Sequence, residues 1–372
     1  MIRSGVVHFV TGATGFVGGA LVLRLLETTT DEIVALVRPG DVGAEPRMHE
    51  SLRVAAKAYG HDSENLPLTR VRAIAGDVCQ PLCGISHPIP HFDVVWHSAA
   101  SLRYEDRFER EIFDINLGGT LNVLELAKAA GATVLNQIST AYVAGSTNGV
   151  IAEQFEFTAP TNNHYERSKV HAERATRAAD GIKVHILRPG IVVGHSQTLA
   201  ATTFSGLYGF TRQMVQFKGV MERMQRGMMN THRIRFRANP HQRLSLVPVD
   251  EVAAQAVHIG LSPNASGVYH LTQNSPPTVS ETLTAVTRAT QFLDPEFVDE
   301  DQPLDWLDEK LDERLEFYRS YISGDKHFDR SRADNALDGR ADLYRKLPSV
   351  PALVEWYLER LEKERAAVPA AR

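Results

Sequence analysis

Val10-Thr11-Gly12-Ala13-Thr14-Gly15-Phe16-Val17-Gly18 is the stretch that decides the fold. It follows an apolar run at residues 6–10 and opens a helical pattern at 16–26. Glycine at 12 permits a tight turn, glycine at 15 lets the backbone approach a pyrophosphate, and glycine at 18 allows a helix to pack closely on a strand. The helix N-terminus then offers free N–H groups and a favourable dipole to the anion. A glycine triplet alone is weak evidence. The strand, loop and helix around this one make it a dinucleotide-binding loop.

Outward from the loop, runs at 33–37, 71–75, 94–97, 134–138 and 184–187 are β-branched-rich and nearly continuous in apolar character. Strands buried on both faces read this way. Helical patterns lie between most of them, at 16–26, 108–130 and 165–179. The alternation specifies an α/β fold, a Rossmann-type doubly wound parallel sheet with helices on both sides. The regularity ends near Gly194. Residues 196–242 are rich in Met, Arg, Phe and Gly, a strand–helix signal returns at 244–261, and a mostly helical, acidic tail follows Asn274. The expected division is an NAD(P)-binding domain from residues 1–196 and 244–273, with a smaller, mostly helical substrate-binding or lid domain from 197–243 and 274–365.

The chain has 372 residues, 43% of them apolar, and a net charge of −5. That is enough for one large core and a second, smaller one, and it gives no general reason to expect nucleic-acid or membrane binding. Two cysteines, Cys79 and Cys83, cannot make a four-ligand zinc site, so no metal is expected. No apolar run approaches the roughly 18 residues of a membrane span, and the N-terminus does not read as a signal peptide. The expected location is cytoplasmic.

The strand ends carry the chemistry. Arg38, after the second strand, stands where an NAD site usually has an acidic residue for the ribose 2′-hydroxyl, and an arginine suits a 2′-phosphate. NADPH is therefore expected rather than NADH. Asp77, followed by Val78, ends the third strand within reach of the adenine amino group. Ser98, Ala99 and Ala100 end the fourth, small enough for backbone to pass close to the cofactor ribose. Tyr165 and Lys169, four apart, share one helix face. An ammonium beside a phenol favours phenolate and should lower its pKa. The lysine can also donate to the nicotinamide ribose. Thr140, at the end of the fifth strand, can donate to a substrate oxygen.

The motifs TGATGFVG (11–18), GDV (76–78), HSAAS (97–101), STAYVAG (139–145), YERSK (165–169) and RPGIVVG (188–194) together resemble the extended short-chain dehydrogenase/reductase superfamily. The resemblance spans about residues 6–273. It implies that Thr140, Tyr165 and Lys169 are catalytic. It also implies that Thr11, Gly12, Thr14, Gly15, Phe16, Val17 and Gly18 hold the cofactor, with Pro189, Gly190, Ile191 and Val192. Asn116 matches a family asparagine beside the site, which supports the lysine and its proton relay.

About thirty residues, with a helical stretch near 46–59, separate Arg38 from the third strand, a longer link than sugar-nucleotide epimerases usually have. Residues 75–85 are similar to the GD-x-x-x-P-x-x-G-[LI] segment of thioester reductases and fatty acyl-CoA reductases, with Cys83 where leucine is frequent. Residues 317–321 and 327–329 resemble the end of the fatty acyl-CoA reductase type. This branch implies an NADPH-dependent reductase that releases an aldehyde from an acyl thioester on CoA or a phosphopantetheinyl carrier protein. A second hydride would carry the aldehyde to alcohol. The alternatives are a dehydrogenase or epimerase acting on a sugar nucleotide or secondary alcohol, and a non-catalytic NADP-binding regulator. Five of the seven methionines (Met214, Met221, Met224, Met228 and Met229) lie together with Phe217 among several arginines. They read either as ordinary core or as a mobile lid over residues 205–237, its methionines facing an acyl chain. Its arginines would face CoA or a carrier protein, unless the acidic stretch 294–316 neutralises them internally.

Overall fold

In the computed structural model, which describes residues 5–224, 226–227 and 231–367, the chain begins with β1 (Val7–Thr11), the glycine loop and α1 (Phe16–Thr28). Next come β2 (Glu32–Val37), α2 (Ala44–Ala58), β3 (Val71–Ala75), β4 (Val94–His97), α3 (Glu109–Phe113), α4 (Gly119–Ala129), β5 (Val134–Ile138) and β6 (Gly149–Ile151). Then follow α5 (His164–Arg177), β7 (Lys183–Pro189), β8 (Ile191–Val193), α6 (Leu207–Met224), β9 (Arg235–Arg237), β10 (Leu246–Pro248), α7 (Val249–Leu261) and β11 (Gly267–Leu271). The remainder is α8 (Val279–Ala289), β12 (Glu296–Val298), α9 (Trp306–Arg314), α10 (Glu316–Ile322), β13 (Lys326–Phe328), α11 (Ser331–Ala336) and α12 (Val350–Ala367).

Seven strands form one sheet in the order β3-β2-β1-β4-β5-β7-β11, and all its pairings are parallel. Side chains alternate across it as strand geometry requires. Val10, Ala35 and Trp96 pack on one face with Leu21, Leu52 and Val252, while Phe9, Val34 and Val95 pack on the other with Val123 and Leu126. Strand order reverses between β1 and β4, which leaves a crevice at the carboxyl ends of the strands, the usual ligand position in such sheets.

A second apolar cluster joins α6 (Phe210, Met214, Phe217, Met221) to Phe236, to Leu283 and Val286 of α8, to Leu311 of α9 and to Leu353 and Val354 of α12. The helix α8 starts with a capping box between Thr278 and Glu281, which satisfies its orphan N–H groups locally. Ala333, Leu337 and Leu343 of the C-terminal stretch pack into the first core instead. Among the described residues, no helix is long and apolar enough to cross a membrane.

The helix expected over residues 108–130 is interrupted. A π turn at Asp114–Gly118 separates α3 from α4. Just after it, the hydroxyl of Thr120 in α4 donates to the Asn116 carbonyl at 2.6 Å. The wider turn carries the Asn116 side chain inward, and π turns are frequent beside functional sites.

Candidate active site

A cavity of about 560 Å³ opens at the carboxyl ends of β1, β4, β5 and β7 and runs from the glycine loop to α8 and α10. At its loop end the turn can only be built with glycine. Gly12 has φ +69°, and a Cβ there would lie 2.6 Å from the Ala99 nitrogen. A Cβ on Gly18 would lie 2.1 Å from the Gly12 carbonyl oxygen. The first turn of α1 has no side-chain cap, since Gly15 occupies the N-cap position. Its N–H groups are thus left for an anion. The loop is a cradle for a pyrophosphate, so the residues present fit a dinucleotide.

Thr140, Tyr165 and Lys169 meet in the middle of the cavity. Thr140 and Tyr165 line the same cavity, and the Thr140 hydroxyl accepts from the Tyr142 N–H at 3.2 Å. Lys169 donates to the Ile138 carbonyl at 2.9 Å. The catalytic-helix candidate α5 is held at both ends. Asn163 caps it by accepting from the Glu166 N–H at 2.9 Å. Further along, Glu173 makes a buried bidentate pair with Arg188, at 2.9 Å to Nε and 2.5 Å to Nη2. Ser139 also donates to Glu173.

Burial governs the electrostatics. The phenol of Tyr165 is pushed above its ordinary value by burial and then by the neighbouring Glu166 carboxylate, with the Thr140 hydrogen bond opposing. The sequence had suggested the reverse. The Lys169 ammonium does not prevail, because burial also weakens that charge. Burial lowers Lys169 to about 8, against the opposing pull of Glu173. His97, beneath the site, is lowered to about 3 by burial and Lys169, and so is neutral. Its ring nitrogens lie 2.8 Å from the Thr11 hydroxyl and 3.1 Å from that of Thr120.

The remaining expected residues are distributed unequally. Gly12, Gly15, Phe16, Val17, Gly18, Ser98, Ala100, Pro189, Gly190, Ile191 and Val192 line the cavity. Thr14 is exposed on the loop, and Ala99 donates its N–H to the Thr11 hydroxyl at 3.3 Å. Arg38 is exposed beyond β2, and Asp77 beyond β3 accepts from the Cys79 N–H at 2.9 Å. Thr11, Val78 and Asn116 are buried in the framework. Val78 packs where a Cβ on Gly119 would stand. The Asn116 amide donates to the Ser101 carbonyl and to Ser168 Oγ at 3.1 and 2.8 Å and accepts from the Ser101 N–H at 2.8 Å. It ties the β4 loop to α5 and makes no bond to Lys169 itself.

Several site residues were missed by sequence reasoning. Arg47, on the first turns of α2, donates to the Arg38 carbonyl, which places a second guanidinium beside the end of β2. Tyr104 and Phe317 stack with centroids 3.6 Å apart at the cavity wall. Tyr142 and Tyr321 line it too, their rings 4.6 Å apart, and burial and then the Glu166 carboxylate push both phenols up. Lys169 is the one charged side chain lining the cavity among the described residues.

The expectation that the methionines of this segment face the cavity is corrected for the described ones. Met214 and Met221 are buried in the second core, Met224 is exposed, and none of them lines the cavity. Met228 and Met229 lie outside the described residues. The wall comes instead from residues 203–207, Gly209 and Phe210 and from α10. Most of the basic side chains are engaged internally. Arg237 pairs with Asp312 at 3.2 Å, Lys218 donates to the Gln291 carbonyl at 2.8 Å, and Arg212 to the Tyr357 hydroxyl at 2.8 Å. Arg223 and Arg226 are exposed. Arg223 lies thirteen residues, about 20 Å of helix, beyond Phe210.

Residues 10–256 match the family described as male sterility protein. Nonribosomal peptide synthetase asaC of Aspergillus flavus is 27% identical over 290 residues, 72% of this chain and 26% of that protein. L-2-aminoadipate reductase large subunit of Penicillium chrysogenum is 26% identical over 294 residues, 72% of this chain and 19% of that protein. The chain thus spans about a quarter or less of the length of these relatives. In structure it is similar to the terminal R domain from the myxalamid PKS-NRPS biosynthetic pathway. The TM-score is 0.76 at 25% identity, covering 100% of this chain and 94% of that one.

Proposed function

The chain belongs to the male sterility protein family, within the extended short-chain dehydrogenases/reductases, and is an NAD(P)-dependent oxidoreductase; from this premise we propose that it reduces an acyl thioester to an aldehyde at the expense of NADPH. The observation that carries the reading is the single cavity. It joins a pyrophosphate cradle, a Thr–Tyr hydroxyl pair with its lysine, and a chamber walled by ring faces and alkyl groups. The relatives' printed activities, peptide synthesis and aminoadipate reduction, support a thioester on a carrier protein as the substrate form.

A bound nicotinamide would supply the hydride. The cofactor half of the site is proposed to be residues 1–196 and 244–273, with the acyl group against the rest. Arg38 and Arg47 would hold the 2′-phosphate, which favours NADPH. The Thr140 and Tyr165 hydroxyls would donate to the thioester oxygen as negative charge develops there. Tyr165 would then pass its proton to that oxygen, giving a hemithioacetal. Its C–S bond breaks, the hydroxyl proton goes to the leaving sulfur, and aldehyde and thiol separate. Lys169 would hold the cofactor ribose, and Asn116 would fix α5 through Ser168. The acyl group is proposed to be uncharged, because the walls offer a charged acyl group no partner of opposite sign except Lys169.

The test follows NADPH absorbance with octanoyl-pantetheine, aminoadipoyl-pantetheine and octanal, and separately examines UDP-glucose incubated with NAD+ for epimerised or oxidised sugar. Octanoyl-pantetheine should be consumed with release of one thiol per aldehyde. Activity confined to the sugar nucleotide would replace this reading with the epimerase one.

A further inference from the structure

His97 ends β4 beneath the site, buried between two threonine hydroxyls. Thr11 Oγ1 lies 2.8 Å from its Nδ1, and Thr120 Oγ1 lies 3.1 Å from its Nε2. A neutral imidazole has two tautomers, and its neighbours select between them. Thr120 donates its hydroxyl to the Asn116 carbonyl at 2.6 Å, and a carbonyl can only accept. The Thr120 oxygen is left as an acceptor toward His97, so Nε2 carries the hydrogen. Nδ1 is then bare, and Thr11 donates to it. The Thr11 oxygen in turn accepts from the Ala99 N–H at 3.3 Å.

The same logic continues past Asn116. Its Nδ2 donates to Ser168 Oγ at 2.8 Å, and Ser168 donates its hydroxyl to the Tyr165 carbonyl at 2.7 Å. Its Oδ1 accepts from the Ser101 N–H at 2.8 Å, which fixes the orientation of the amide. Every link therefore has one direction, from Ala99 through Thr11, His97, Thr120, Asn116 and Ser168 to Tyr165. At one end, the Ala99 nitrogen lies 2.6 Å from the place a Cβ on Gly12 would take, against the glycine loop. At the other end stands α5, the helix that carries Tyr165 and Lys169. His97 joins the two halves, since Thr11 belongs to β1 and Thr120 to α4.

We propose that His97, as the Nε2–H tautomer, is a positioning residue that holds the cofactor loop and the catalytic helix in one register. Hydride transfer needs that register, because a misplacement of about 1 Å can cost on the order of 10²-fold in rate. Burial and then Lys169 lower the imidazole to about 3, so the ring stays neutral near neutral pH and the directions persist. The effect on turnover rests on the reading of Tyr165 as catalytic. The tautomer and the hold on the cofactor loop do not.

The protein is labelled with ¹⁵N in its histidines, and His97 is identified by correlation to its own backbone. The spectrum should show a protonated Nε2 and a bare Nδ1, unchanged from about pH 6 to about pH 8. Two variants then cut the chain on opposite sides of the ring. His97→Gln keeps a donor near the Nε2 position and leaves the Thr11 hydroxyl without an acceptor. It should raise the Kd of NADPH by about tenfold in calorimetry, with kcat at saturating NADPH within about threefold of wild type. His97→Asn keeps an acceptor near the Nδ1 position and loses the donor to Thr120. It should leave that Kd within about threefold and lower kcat on octanoyl-pantetheine by about tenfold. A histidine that only fills space would give both variants the same losses, and that result overturns the proposal. So does an Nδ1–H or charged ring in the wild type. If the variants do not fold, the tautomer decides. If the wild type does not reduce the thioester, the functional reading fails, while the tautomer and the two Kd values still judge this one.

Discussion

Tyr165 works between opposing influences. Burial, and after it the Glu166 carboxylate, push the phenol up, while Thr140 beside it acts in the opposite direction. A reductase needs that proton on the phenol when substrate arrives and on the substrate oxygen once the hydride has come across. The lost hydroxyl of Tyr165→Phe would matter mainly in the transition state. The expected result is a kcat reduced by about 10²- to 10⁴-fold, with NADPH affinity by calorimetry changed by less than about threefold, since the ring stays in place. Near-normal turnover would remove Tyr165 from the chemistry.

At the scale of elements, the β2–α2 connection is where the proposed preference for NADPH would be set. Arg47 reaches back from α2 to the Arg38 carbonyl, which brings its guanidinium to the strand end that carries Arg38. Arg38→Ala should raise the KM for NADPH at least tenfold while leaving that for NADH within about twofold, and Arg47→Ala should act in the same direction. Equal effects on both cofactors would make the pair an ordinary loop contact. Elements also show what was legible beforehand. The strands β1 to β5 and the glycine loop were readable because continuous apolar runs and glycines at 12, 15 and 18 are local signals. The π turn at Asp114–Gly118 was not, since it depends on Ser101 and Ser168 meeting Asn116 across the fold. Glu166 and Tyr321 lie 155 positions apart, and nothing near either names the other. The methionines misled for a physical reason. Met214, Phe217 and Met221 fall at i, i+3 and i+7, which is the spacing of a helix stripe facing a core, and α6 uses them so.

At the scale of the molecule, the cavity lies where the two apolar clusters meet. The parallel sheet supplies the glycine loop and α5, while α6, α8 and α10 wall the chamber proposed for the acyl group. The later part of the chain thus completes a site that the first part begins, with Tyr321 in the same wall as Tyr165. The central claim is that hydride from nicotinamide reaches a thioester carbonyl here and that the C–S bond then breaks. It is tested most directly by giving the wild-type enzyme NADPH deuterated on the transferred face of C4, with octanoyl-pantetheine, and examining the products by mass spectrometry. The account predicts octanal carrying one deuterium at C1, with an equal amount of free pantetheine. Octanoic acid with the deuterium still on the cofactor, or aldehyde without deuterium, would contradict it.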